Sequence, residues 1–209
     1  MSDFNIRSYR SSDKDLVYSI CLKTGESGKD ATHLFNDPLV LGHIYAGPYM
    51  KYEPQSVFIL NDNKGVCGYI MGTMNSNQFY NWMDKEWFPA IRTNYIQPTG
   101  DPLKWNRTEK TTSILFQPLK KKLFKDFPAH LHIDLLPRAQ GKGQGKMMMD
   151  HFISHLKRNS ITGVLLELGA KNDRAFNFYS KYGMDELERD DDSIFMGCLL
   201  YTSQSPRDS

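Results

Sequence analysis

His130-Leu131-His132-Ile133-Asp134-Leu135-Leu136-Pro137-Arg138-Ala139-Gln140-Gly141-Lys142-Gly143-Gln144-Gly145-Lys146 changes character twice within one stretch. Its first half alternates polar and apolar residues, the mark of a strand, and puts His130, His132 and Asp134 on one face. Pro137 and three spaced glycines then make a tight turn, and Met147 onward reads as a helix. A glycine turn opening a helix leaves bare N–H groups aimed outward with no Cβ in the way, which suits an anion such as phosphate. Lys142 and Lys146 add positive charge at the same end. Two familiar nucleotide patterns fail here. A P-loop needs Ser or Thr after its Gly-Lys, and Met147 follows Lys146; G-x-G-x-x-G fails because Gly141, Gly143 and Gly145 are followed by Met148.

The flanking sequence fits strands and helices in alternation. Downstream, Gln144–Asn159 is amphipathic, with Met147, Met148, Phe152, Ile153 and Leu156 on one face and Lys157 and Arg158 at its C-terminal end. Gly163–Leu168 reads as a central strand, Asn172–Tyr182 as a helix, and Asp185–Arg189 and Ile194–Tyr201 as a closing pair joined by Asp190–Ser193. The polar tail Thr202–Ser209 is expected to fray. Upstream, Phe4–Tyr9 alternates as a first strand, and Ser12–Asp15 offers a cap to a helix. Within Thr24–Pro54 a short helix is expected over Pro38–Tyr45 and a bend over Tyr45–Tyr49. Ser56–Leu60 and Val66–Met74 form a hairpin around Asn61–Gly65. Ser76–Tyr95 has helical aromatic spacing that Pro89 must break or bend, and its aromatics read as core. Gln97–Ala129 is long and Pro- and Lys-bearing, with a short helix expected over Leu115–Phe124.

At 209 residues and 40% apolar content the chain suits one core and one domain. A formal charge of +2 is too mild for a nucleic-acid surface. The tight cluster Lys120, Lys121, Lys122 and Lys125 reads as a solvated face. Cys21, Cys67 and Cys198 have neither disulfide-framework parity nor metal-ligand spacing, so no metal is expected. No run is apolar and long enough for a membrane span, and Met1–Arg10 is charged where a signal peptide is apolar, so a cytoplasmic location is expected.

Gln140-Gly141-Lys142-Gly143-Gln144-Gly145 resembles the Q/R-x-x-G-x-G/A signature of the GNAT acyltransferase superfamily, through Gln140, Gly143 and Gly145. Asn172-Asp173-Arg174-Ala175-Phe176-Asn177-Phe178-Tyr179-Ser180-Lys181-Tyr182-Gly183-Met184 resembles the N-x-x-A-x-x-F-Y-x-x-x-G-F segment of the same superfamily. The order of elements, His132–Pro137 and the Tyr45–Tyr49 region are further similar to the acetyltransferase-like domain that accompanies some O-GlcNAcases and to its bacterial relatives. The resemblance covers residues 1–201, with 97–129 a less typical insertion. It implies an α/β (α+β) GNAT fold: a mixed, mostly antiparallel sheet of six or seven strands, flanked by helices, with splayed central strands.

It also implies acetyl-CoA as cofactor and an N-acetyltransferase acting on a primary amine of a small molecule or protein by direct attack in a ternary complex. The CoA diphosphate would take the amides of Gln140, Gly141, Lys142, Gly143, Gln144, Gly145 and Lys146. The pantetheine arm would pair with Leu135, Leu136 and their neighbours, and Asn172 and Phe178 would flank it. Asn172 also suits a helix N-cap. Tyr179 either packs its helix on the sheet or meets the CoA sulfur, and the resemblance implies the latter. The glutamate of histone-type members falls at Ala129, so Asp134, with His132 beside it, is the candidate base, and Glu167 a further one. A solvated or hydrogen-bonded edge is the other reading of that face. A different class of function is a degenerate module that binds acetyl-CoA or a partner without catalysis.

Overall fold

A computed structural model describes residues 4–119 and 121–200. Strand β1 (Asn5–Ser8) leads to helix α1 (Lys14–Thr24), followed by α2 (Val40–Tyr45) and α3 (Gly47–Tyr52). The hairpin expected around Asn61–Gly65 is β2 (Val57–Asp62) and β3 (Gly65–Thr73). Then come α4 (Ser76–Trp82), a π turn over Met83–Trp87, α5 (Phe88–Arg92) and α6 (Arg107–Ile114). The decisive stretch forms β4 (Ala129–Leu135) and, after the glycine turn, α7 (Gln144–Arg158). Strand β5 (Gly163–Gly169), α8 (Asp173–Tyr182), β6 (Asp185–Arg189) and β7 (Ser193–Leu199) complete the chain. Tyr201 and the tail lie outside the described residues.

The strands make one sheet in the order β1-β2-β3-β4-β5-β7-β6. Every pairing is antiparallel except β4 with β5, which run parallel and meet only at Ala129↔Val164 and His130↔Leu165. Beyond that point the two strands part, which is the expected splay. Because side chains alternate across a strand, the sheet carries two cores. Tyr69 and Met71 of β3 pack with α1–α5, whereas Ile70 packs with Met148, Met149, Phe152 and Leu156 of α7 and with Tyr179 of α8.

Three local expectations change. Tyr45–Tyr49 is not a simple bend: the chain turns at Ala46 and re-enters a helix at once, because Pro48 suits a first turn, where its missing N–H has no partner to lose. Pro89 does not break the Ser76–Arg92 helix. A π turn precedes it, with the Phe88 N–H on the Met83 carbonyl, and the wider turn absorbs the proline. Among the described residues of 115–124 there is no helix, and Pro118 interrupts the backbone; the helix of this segment lies earlier, as α6. Its start was legible as a capping box, in which Asn106 Oδ1 accepts the Glu109 N–H at 2.9 Å and Glu109 Oε2 accepts the Asn106 N–H at 2.8 Å.

Candidate active site

The glycine turn is open. Gly141 and Gly143 have φ of +71° and +82°, a left-handed backbone that suits glycine, and a Cβ at either would meet no atom within 4 Å. Gly143 is the N-cap of α7, and no side chain caps the helix there. Among the described residues, the amides of residues 141–146 donate no hydrogen bond, the turn's internal bonds being those of Ala139 to Leu136 and Gln140 to Pro137. Gln144 Oε1 is buried with no partner. Bare amides at a helix start suit an anion, whereas the Gln144 oxygen, an acceptor, calls for a donor. Gly145 has a different duty: its Cα sits against the Phe178 ring, which a Cβ would approach to 3.1 Å, so α7 and α8 pack closely just behind the turn.

Gln140 and Lys146 are partly committed. Gln140 Nε2 donates to the Leu135 carbonyl at 2.6 Å, tying the turn to the end of β4. Lys146 pairs with Asp150 at 2.7 Å one helical turn on, which reduces the positive charge expected from it, while Lys142 is exposed. Asn172 Oδ1 caps α8 by accepting the Ala175 N–H at 3.1 Å. Leu136 donates its N–H to the Cys67 carbonyl at 2.8 Å, which sets the alternation along β4. The amides of Leu131, Ile133 and Leu135 therefore turn away from β3 toward the splay, where β5 no longer answers those of Ile133 and Leu135.

Tyr179 is buried, and burial, with Asp134 nearby, pushes its phenol upward, so it stays protonated. Its hydroxyl makes no hydrogen bond among the described residues. If Tyr179 meets the CoA sulfur, as the resemblance implies, Tyr179→Phe is expected to slow turnover about 100-fold, the scale of a lost proton donor, with acetyl-CoA affinity nearly unchanged. Stopped or steady-state thiol release beside calorimetry checks this; equal turnover would reduce Tyr179 to packing.

The sequence-derived face of β4 divides three ways. His130 is buried in a fixed network. Ser76 Oγ donates to the Pro128 carbonyl at 2.8 Å and so accepts the His130 Nδ1–H at 2.8 Å, which leaves Nε2 to accept the Tyr49 hydroxyl at 2.7 Å. Tyr80 stacks on the ring at 4.8 Å. Burial, and then the Lys121 charge, push His130 down to about 3, so it is neutral. His132 stacks with Tyr45 and Tyr49, at 6.0 and 6.5 Å. Asp134 accepts the hydroxyl of Tyr69, its cross-strand partner, and the two sit on the α1 side of the sheet.

Neutral His130 carries a pH signature. Unfolded, it takes up a proton near its ordinary value of 6.5; folded, it resists to about 3. Its contribution is thus whole above about pH 6.5 and falls as the pH drops toward 3, by up to about 1.4 kcal/mol per unit. Relative to His130→Gln, the wild type should lose melting temperature between about pH 7 and pH 5; a constant difference between the two curves would refute a neutral buried imidazole.

Where β4 and β5 part, a cleft of about 200 Å³ opens between Tyr45, Tyr49, Tyr80, His132 and Glu167. Burial pushes all three tyrosines upward, leaving them neutral. The structure thus brings His132 and Glu167 to one cavity, with Asp134 engaged by Tyr69 and not among the cleft-lining residues. Lys121 and Lys122, expected on a solvated face, also line it. They are not a plain solvated face: Lys121 pairs with Glu167 at 3.4 Å, and Lys122 pairs with Glu188 and lies 5.9 Å from the centre of the Phe195 ring. Lys120 lies outside the described residues. Nothing in the lysine run itself signals that two of its members face acidic residues on β5 and β6. Among the described residues, no cluster of His, Cys, Asp and Glu is placed to hold a metal, and no helix is long and apolar enough to cross a membrane.

The family model described as Acetyltransferase (GNAT) family matches residues 114–184, which include β4, the glycine turn, α7, β5 and α8. The crystal structure of SsHAT is similar over 96% of this chain and 100% of that one, at 30% identity and a TM-score of 0.87. Protein O-GlcNAcase of Rattus norvegicus is 26% identical over 189 residues, covering 89% of this chain and 20% of that protein. The O-GlcNAcase of Mus musculus matches at the same identity and coverage, so the chain spans about a fifth of the length of these curated relatives. The structure of yncA from Salmonella typhimurium, with its cofactor acetyl-CoA, has the same fold at 13% identity, covering 97% of each chain with a TM-score of 0.55.

Proposed function

Since the chain belongs to the acetyltransferase (GNAT) family, we propose that it transfers acetyl from acetyl-CoA to a primary amine by direct attack in a ternary complex. The observation that carries this reading is the bare N-terminus of α7: amides 141–146 that, among the described residues, donate to nothing. Amides held in this way suit a diphosphate, because no reorganisation is needed to receive it. Acetyl-CoA, when bound, supplies an activated thioester.

The chain's own groups do the rest. The splayed main chain of Ile133 and Leu135 receives the pantetheine arm, and an amide of the same edge faces the developing oxyanion. Asn172, with Oδ1 spent on its helix, keeps its Nδ2 for the ligand. Tyr179 gives its proton to the departing sulfur. On the amine side, the three neutral tyrosines and His132 wall the cleft, and Glu167 binds the ammonium and receives its proton. Asp134 acts through Tyr69, holding β3 to β4, rather than on the amine.

Acetyl-CoA titration by calorimetry, followed by thiol release across a panel of amines and lysine peptides, tests the proposal. Saturable binding with turnover is expected; no binding would end it. One observation favours the alternative of a binding module without catalysis: Ala129 stands where histone-type members carry glutamate, and Asp134 is already hydrogen-bonded. Binding without turnover on any amine would select that alternative.

A further inference from the structure

The two lysines that line the cleft answer different carboxylates. Lys122 is drawn to Glu188 and lies 5.9 Å from the centre of the Phe195 ring. The Lys121 ammonium instead lies on Glu167, the residue to which the amine of an acceptor has just been assigned, and it is near enough to buried His130 to affect that imidazole. Its side chain is one-third exposed, and residues 121–128, which lead into β4, form no helix or strand. Such a segment can deliver a side chain without repacking the core.

We propose that Lys121 is this protein's own acceptor: it occupies the amine position of the cleft and is acetylated in cis on Nζ. The proposal rests on the acetyltransferase reading of the site above. The Lys121 ammonium gives a proton to Glu167; the free amine forms a C–N bond to the acyl carbon while the C–S bond breaks and the thiolate takes the Tyr179 proton. The acylated nitrogen then gives up its second proton, which restores Tyr179, and Glu167 releases the first to solvent. An ammonium and a thioester become an amide, a thiol and one released proton. Acetylation also removes the charge that pairs with Glu167, so the product amide no longer holds the carboxylate and the cleft is opened to an external amine.

Two experiments on the full chain test it. Without acetyl-CoA, Lys121→Ala should bind n-butylammonium about fivefold more tightly than wild type, since an exposed pair worth about 1 kcal/mol no longer competes for Glu167. Equal affinity overturns the occupancy. With acetyl-CoA and no added amine, intact-mass and peptide mapping should show one acetyl group on Lys121, formed at a rate independent of protein concentration. It should be absent from Lys121→Arg and kept in Lys122→Arg. Adducts spread over several lysines, a rate proportional to protein concentration, or equal labelling in Gly143→Glu would each overturn acetylation in cis. Calorimetry on the same sample separates the two levels: acetyl-CoA bound with no Lys121 adduct defeats this proposal alone, whereas no acetyl-CoA binding defeats the transferase reading with it.

Discussion

Gly143→Glu should lower acetyl-CoA affinity by more than about 100-fold while leaving a folded protein. The open space around Gly143 is the reason for both halves. A Cβ there meets nothing within 4 Å, so the substitution creates no clash in the core. Its folded-state penalty is that of a non-glycine residue at φ +82°, on the order of 1 kcal/mol. The new carboxylate, however, stands among the bare amides at the α7 N-terminus, where the proposed site would receive the diphosphate. Gly143→Asn separates charge from bulk, since Asn tolerates a left-handed backbone and is neutral; its loss should be much smaller. Calorimetry against acetyl-CoA, with circular dichroism to check the fold, measures both. Wild-type affinity in Gly143→Glu would mean that the ligand does not use this turn.

Glu53→Leu is expected to cost about 2–4 kcal/mol of stability. Glu53, buried at the end of α3, gathers donors from both ends of the β2–β3 hairpin: the Ser56 hydroxyl at 2.6 Å, the Thr73 hydroxyl at 2.7 Å and the Met74 N–H at 3.2 Å. Ser56 has a second partner in His155 Nε2, at 3.0 Å, but leucine leaves the Met74 amide with nothing to bond. A buried donor left unpaired costs about 1–3 kcal/mol, the half-buried Met74 amide toward the lower end, and the lost hydroxyl bonds add to that. For a protein of this size the expected fall in melting temperature is roughly 6–12 °C. Glu53→Gln, which keeps an acceptor, should lose less. The same carboxyl holds α3 in place, and α3 carries Tyr49 onto His130 and His132, so the leucine variant should also weaken the amine side of the cleft. A melting curve matching the wild type would show that the hairpin end satisfies itself.

Most of the fold was legible because its signals are local. The alternation of 129–135, the glycines of 141–145 and the amphipathic run after them need only neighbours in sequence to express themselves, and β4, the turn and α7 follow them closely. The same holds for the β2–β3 hairpin and for β5 to β7. The misses have equally physical causes. In residues 97–128 the capping box Asn106–Glu109 outweighs the apolar spacing of Leu115–Phe124, because a satisfied helix start and an interrupting Pro118 decide where a short helix can exist. At Pro89, a π turn supplied by the preceding residues removed the conflict that a regular helix would have met.

The sequence by itself determined the strand–turn–helix unit, the alternation that places His130, His132 and Asp134 on one face, and the Asn172 cap, since each depends on backbone geometry within a few residues. Only the tertiary structure decided what those side chains do. His130 is neutral because Tyr49, Tyr80 and Ser76 enclose it from distant segments; Asp134 is engaged because register sets Tyr69 opposite; Lys121 reaches Glu167 across 46 positions of sequence. Hydrogen bonding and desolvation depend on what surrounds a group in space, and no periodicity along the chain encodes that.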